Sequence, residues 1–115
     1  MKKVALFAFN GEAMCFVHVL LNALDMHEKG WEVKVVIEGA ATKLIPDFAK
    51  EGSALADLYQ KTKSLGLLAG ACKACSAKMG TLEAAKQEGL QLLDEMKGHA
   101  SMARFLQQGF EVITF

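Results

Sequence analysis

A single stretch decides the fold of this 115-residue chain: LLAGACKACSAKMG, from Leu67 to Gly80. An apolar run of strand length ends in small residues, and Cys72 lies where the chain turns from a strand into a helix. A thiol at a helix N-terminus holds more thiolate than a free thiol, because unpaired N–H groups and the helix dipole favour an anion, and Lys73 and Lys78 add positive charge. Cys75 follows at the C-x-x-C spacing, which brings two sulfurs within reach across one helical turn. The stretch predicts a reactive thiol, although Cys72 can equally be a small buried hydrophobe.

Strands and helices alternate on both sides of this stretch. Buried strands are predicted at residues 3–9, 31–38, 67–72 and 110–115, and helices at 13–29, 54–65, 73–79 and 101–108. The interpretation of residues 90–93 stays open, because they form either a short fourth strand or part of one long helix that continues through Gly89. The alternation predicts a single α/β domain over residues 1–115, with helices on both faces of a mainly parallel sheet.

Composition excludes several classes of partner. Thirteen basic and thirteen acidic residues cancel, so charge gives no reason to expect nucleic acid. No apolar run approaches the roughly 20 residues of a membrane span, and the short N-terminal run is a first strand rather than a signal peptide, so we expect a cytoplasmic protein that does not bind membranes. Three cysteines do not make a disulfide framework, and one C-x-x-C without a neighbouring histidine is a poor zinc site. We therefore expect no metal and no cofactor.

The helix at residues 13–29 is more apolar than one sheet requires. Its polar residues His18, Asn22, Asp25 and Lys29 form one narrow stripe. A helix that covers a sheet needs an apolar stripe of only about 100°. The excess predicts a homo-oligomer, a dimer, trimer or larger, through this helix.

The carboxyl ends of parallel strands share one edge, where ligands gather. The turns after the first and third strands therefore lie on the same edge as the cysteines. His99 follows the doubtful fourth strand and can approach Cys72, although an exposed loop histidine is the simpler interpretation. Asn10-Gly11 is also what a tight turn requires. The candidate pocket residues are Asn10, Gly11, Glu12, Ala71, Lys73 and His99.

The chain resembles the DsrE/DsrF-like sulfur-relay family over nearly its whole length. The first feature is the opening strand, followed by a long apolar helix that ends at Gly30. The second is the segment Leu68-Ala69-Gly70-Ala71-Cys72, with Gly80 eight residues after the cysteine. The third is the C-terminal segment RFLQQGFEVITF, from Arg104 to Phe115. The resemblance implies a three-layer α/β/α, flavodoxin-like fold with five strands, a fourth strand at residues 90–93, an oligomer, and a persulfide carried on Cys72. Cys75 departs from the relay pattern, and the basic segment that follows the cysteine in relay subunits is not recognisable here.

Three functions fit these observations. In the first, Cys72 accepts sulfane sulfur as a persulfide and passes it between donor and acceptor proteins, and Cys75 can release it as sulfide. In the second, the chain is a thiol-disulfide or peroxide-reducing dithiol protein in which Cys72 attacks and Cys75 resolves. In the third, it is a non-catalytic oligomeric module that binds a small ligand at the strand ends.

Overall fold

The computed structural model describes residues 2–115, and its regular elements alternate between strand and helix. The strands are β1 (Lys3–Ala8), β2 (Glu32–Ile37), β3 (Leu68–Cys72), β4 (Leu92–Leu93) and β5 (Glu111–Thr114). The α-helices are α1 (Ala13–Glu28), α2 (Ala54–Ser64), α3 (Lys73–Lys78), α4 (Leu82–Gln87) and α5 (Met102–Gln107). A 3-10 helix, Gly39–Ala49, precedes α2.

The five strands form one sheet in the order β4-β3-β2-β1-β5, and every pairing is parallel. The first four strands step in one direction across the sheet, and β5 returns to the free side of β1. This confirms the predicted three-layer α/β/α fold around a five-stranded sheet. Gly89, with φ of +72°, separates α4 from β4, so the alternative of one long helix through Gly89 is wrong.

Alternate residues of the strands face two separate apolar cores, as the period of a strand requires. In the larger core, Phe48 stacks on Phe16 and Tyr59, with ring centroids 5.2 and 4.2 Å away. This core is covered by α1, the 3-10 helix, α2 and α4. The smaller core is covered by α5, where Phe105 meets Phe7 edge to face. The sheet thus separates a thick helical layer from a thin one.

Helix α1 places its polar stripe in solvent, as predicted, and leaves some apolar surface open. Phe16, Val19, Leu20, Ala23 and Leu24 are buried against the sheet. Met14 and Leu21 are 75% and 45% exposed. Within residues 2–115, the helices lack the combination of length and apolar character needed to cross a membrane.

An irregularity in β3 decides which face Cys72 occupies. The pairing of β3 with β2 shifts by one residue after Leu68, because Ala69 is extra. Such a bulge moves every later side chain of the strand to the opposite face. As a result Ala71 faces the larger core and Cys72 the smaller one.

Gly70 follows this bulge and allows β4 to approach β3. Its φ is +149°, and a Cβ atom there would collide with the carbonyl oxygen of Gln91. That oxygen accepts the N–H of Ala71 at 2.9 Å. Glycine is therefore required at this position both by backbone conformation and by space.

Replacement of Gly70 with alanine is expected to lower the free energy of unfolding by about 2–5 kcal/mol, the sum of backbone strain and overpacking. Gly89 is the matched control, because it also has positive φ (+72°) but open space around it. Gly89→Ala should cost only about 1–2 kcal/mol. Urea unfolding curves of both variants test the difference, and equal losses would contradict the steric role of Gln91.

Candidate functional site

Two of the three cysteines meet at the carboxyl end of β3. Cys72 is the last residue of that strand, and Cys75 lies one turn into α3. Cys72 is 0% exposed, whereas Cys75 is half-buried and lines a cavity. Cys15 lies on α1, and all three side chains are free thiols.

A tight turn after β4 carries the imidazole of His99 to these thiols. Met96 and His99 exchange two backbone hydrogen bonds of 2.9 Å. The residues between them, Lys97 and Gly98, both have positive φ (51° and 90°), which defines a type I′ turn. The carbonyl oxygen of Gly98 accepts the N–H of Ala74 at 2.8 Å and so fastens the turn to the start of α3.

The turn brings one imidazole nitrogen within hydrogen-bond distance of both sulfurs. Nδ1 of His99 lies 3.3 Å from Sγ of Cys72 and 3.5 Å from Sγ of Cys75. The three atoms all lie within 4.8 Å of one another. An imidazole that carries its proton on Nε2 can accept a thiol proton at Nδ1, which is how a thiol is activated as a nucleophile. The interpretation that no histidine lies near the C-x-x-C is wrong, because His99 lies beside both thiols in the folded chain.

The helix terminus contributes less to the site than the sequence implied. Helix α3 has only six residues, and the sulfur of Cys72 makes no capping hydrogen bond to it. The N–H of Ala74 is already used by Gly98. Lys73 is exposed and lies 4.0 Å from the carboxylate of Asp94. The sulfur of Cys72 therefore depends on the imidazole of His99, rather than on the helix terminus, for a basic partner.

A cavity of about 560 Å³ opens beside Cys75 and His99. This volume suits a small ligand. Its wall is largely apolar, with one carboxylate and one ammonium group. The lining residues are Phe9, Glu38, Gly39, Ala40, Ala74, Cys75, Lys78, Met79, Met96 and His99.

Burial shifts the titration of two groups in the cavity wall. It raises the pKa of the Cys75 thiol to about 11, and the hydrogen bond to Cys72 acts in the same direction, while the backbone N–H of Gly39 opposes it. Burial also raises the pKa of the Glu38 carboxyl, against the effect of a positive charge on His99. Cys75 is therefore a neutral thiol at neutral pH.

Alkylation of Cys75 by iodoacetamide is expected to accelerate about tenfold per pH unit from pH 8 to pH 10, because only the thiolate reacts and its fraction rises until the pKa near 11. A small free thiol, with pKa near 8.5, should level off first. Peptide mass spectrometry of the Cys15→Ser variant at a series of pH values measures the rate. A plateau at pH 8 would contradict the raised pKa.

The remaining predicted pocket residues lie apart from the cavity. The side chain of Asn10 accepts the N–H of Glu12 at 2.8 Å, as an ordinary turn does. Asn10 lines a separate pocket on α1 together with Cys15 and His18.

Two features of the fold explain why Gly11, Ala71 and Lys73 do not line the cavity. The segment after β1 brings Phe9 to the cavity, but it packs Gly11 towards Ala40 and Lys43. Ala71 faces the larger core because of the bulge in β3, and Lys73 lines a third pocket with Asp94.

The cavity wall also contains residues that were not predicted from the sequence, among them Phe9, Glu38, Gly39 and Met96. Glu38 and Gly39 follow β2, whose carboxyl end lies at the same edge as that of β3. Their position after a predicted buried strand was a usable signal. Phe9 was predicted inside the first buried strand, but that strand ends at Ala8 and Phe9 is 57% exposed, so no sequence signal indicated its place in the cavity wall.

Comparison with known proteins shows relatives in archaea. The uncharacterized protein MJ0733 of Methanocaldococcus jannaschii is 32% identical over 97 residues, which cover 84% of this chain and 77% of that protein. An uncharacterized protein of Archaeoglobus fulgidus is 42% identical over 59 residues, which cover 51% of this chain and 95% of that protein. No protein-family model and no solved structure matches the chain. The extent of the first similarity places this chain in the same family as MJ0733.

Proposed function

We propose that this chain is a DsrE/DsrF-like sulfur-relay protein that accepts sulfane sulfur as a persulfide on Cys72. The observation that carries the proposal is the contact between Nδ1 of His99 and Sγ of Cys72, at 3.3 Å. A thiolate is the species that attacks sulfur, and an adjacent base generates it. The five-stranded parallel sheet, with Cys72 at the end of its third strand, also agrees with the resemblance.

In the first step, Nδ1 of His99 takes the proton of the Cys72 thiol. The thiolate attacks the terminal sulfur of a persulfide or polysulfide donor, the S–S bond of the donor breaks, and the donor leaves as a thiolate that can accept the proton. Cys72 then carries one extra sulfur. Because Cys72 is 0% exposed, the donor must approach from the side of His99, which lies on an exposed turn beside the cavity.

In the second step, the outer sulfur leaves Cys72 by one of two routes. An acceptor thiolate can attack that sulfur and carry it away, which returns Cys72 as a thiolate. Alternatively, Nδ1 of His99, 3.5 Å from Sγ of Cys75, takes the proton of that thiol. The resulting thiolate attacks Sγ of Cys72 and releases hydrosulfide, so that both cysteines are oxidised to a disulfide. That route reduces the sulfane sulfur by two electrons, and an external thiol must restore the cysteines.

A second candidate function, a dithiol that reduces disulfides or peroxides, is favoured by the proximity of the two sulfurs, which lie within 4.8 Å. Intact-mass analysis separates the two functions. Reduced protein is incubated with polysulfide or with peroxide, in the presence of a metal chelator. A gain of about 32 mass units with polysulfide supports persulfide carriage. Loss of about two mass units with peroxide, without a sulfur adduct, favours the dithiol function instead.

We also propose that the chain assembles as a homo-oligomer through α1, where Met14 and Leu21 leave apolar surface in solvent. Leu21→Glu is expected to shift the assembly to monomers, because a charge in an apolar interface has no partner. Light scattering of both proteins at micromolar concentration measures the mass, with Asn22→Glu in the polar stripe as the control. A monomeric wild-type chain would contradict this interface.

A further inference from the structure

The two cysteines and His99 also form a donor set that the sulfur chemistry does not require. The two thiol sulfurs come from α3 and the residue before it, and the imidazole nitrogen comes from the turn after β4. We propose that Cys72, Cys75 and His99 bind a thiophilic metal ion of the zinc class, with three protein ligands and a fourth position open to the cavity. This site goes beyond the proposed function and does not depend on it.

The distances match those of a tetrahedral zinc site. With Zn–S near 2.3 Å and Zn–N near 2.0–2.1 Å, tetrahedral angles place a sulfur and a nitrogen ligand about 3.6 Å apart. Nδ1 of His99 lies 3.3 Å from Sγ of Cys72 and 3.5 Å from Sγ of Cys75. Both nitrogen–sulfur distances are therefore within a few tenths of an ångström of the separation that the ion requires.

The backbone holds these ligands in place before any ion binds. The C-x-x-C begins a helix, the histidine lies on a type I′ turn, and the 2.8 Å hydrogen bond from Ala74 to Gly98 joins the two elements. Such preorganisation reduces the ordering that a metal ion would otherwise have to impose. Cys72 is buried in the smaller core and Cys75 is half-buried, so solvent competes little for the ion.

The donor types select the class of metal. Thiolate and imidazole ligands suit zinc and similar soft ions, whereas magnesium and calcium require oxygen ligands. Two thiolates neutralise the two charges of Zn²⁺, so the complex brings no net charge into a largely apolar wall. Three protein ligands with an open fourth position are typical of zinc sites that take a water or a small ligand, and the 560 Å³ cavity gives that position room.

Metal titration of the reduced chain, with no sulfur donor present, tests this site. In competition with a chromogenic chelator, the chain should bind one Zn²⁺ ion. In a separate titration, Co²⁺ should give the absorption band of thiolate-to-metal charge transfer. Cys75→Ala and His99→Ala, both at exposed or half-exposed positions, should each weaken binding by at least about tenfold. The matched controls Cys15→Ser and His18→Ala lie on α1 and should bind as the wild type does.

Absence of binding at one equivalent, or affinity unchanged in both Cys75→Ala and His99→Ala, would overturn the metal site. Circular dichroism of each variant establishes that it is folded before it is titrated. Sulfur uptake is measured with chelator present, and metal binding is measured without a sulfur donor. The proposed sulfur chemistry and the proposed metal site are therefore tested independently of each other.

Discussion

Cys72→Ser is expected to abolish sulfur uptake from polysulfide, leaving no adduct in the intact mass. A serine hydroxyl does not ionise near neutral pH and is a poor nucleophile towards sulfur, so no persulfide can form at this position. Cys75→Ser should still gain one sulfur, because His99 remains 3.3 Å from the thiol of Cys72. The same variant should release no hydrosulfide, since the resolving thiol is missing.

Cys15→Ser is the matched control, because it removes a thiol on α1 that lies outside the site. Its sulfur uptake should equal that of the wild type. Since Cys72 is buried, the folding of Cys72→Ser is established by its unfolding curve, and Cys72→Ala serves as a second variant without a buried hydroxyl. Uptake that persists in a folded Cys72 variant and disappears in Cys15→Ser would place the chemistry on α1.

His99→Ala is expected to slow sulfur uptake by about 10²–10⁴-fold at neutral pH, the usual contribution of a positioned general base. His99 is an exposed turn residue, so the substitution should change stability little. The pH dependence is the sharper readout. The variant should regain rate as pH rises, because hydroxide in solution replaces the missing base and converts thiol into thiolate.

His18→Ala is the control for removal of an exposed histidine, because His18 belongs to the polar stripe of α1. Added imidazole should restore part of the rate of His99→Ala and none of the activity of Cys72→Ser. If His99→Ala kept both the wild-type rate and the wild-type pH profile, the imidazole would not act as a base.

Much of the fold was predictable because its signals are local. Glycines after the apolar segments, such as Gly30, Gly66 and Gly109, mark where helices end, and all three have positive φ. Ser53 directly precedes the helix predicted at residues 54–65, where serine is a preferred capping residue, and its hydroxyl oxygen accepts the N–H of Ala56 at 3.0 Å. The proximity of the two thiols was also predictable, because C-x-x-C spacing places both sulfurs at the start of one helix.

The rest of the site depends on contacts between residues far apart in the chain. His99 is 27 positions from Cys72, and only the turn through Lys97 and Gly98 directs it to the thiols. The bulge at Ala69 decides which face Cys72 occupies; Gly70 beside it is typical of a bulge, but a glycine alone does not show that the register shifts. Asn10 lines a separate pocket with Cys15 and His18, and sequence periodicity carries no information on which pocket a turn residue faces.

Localisation of the added sulfur by peptide mass spectrometry is the decisive measurement for a sulfur site built from Cys72, Cys75 and His99. Wild-type protein is treated with polysulfide in the presence of chelator, alkylated, digested and sequenced in the mass spectrometer. We expect the extra sulfur on Cys72, with little or none on Cys15. Sulfur distributed over all three cysteines, or absent from the peptide that carries Cys72, would contradict a specific persulfide site.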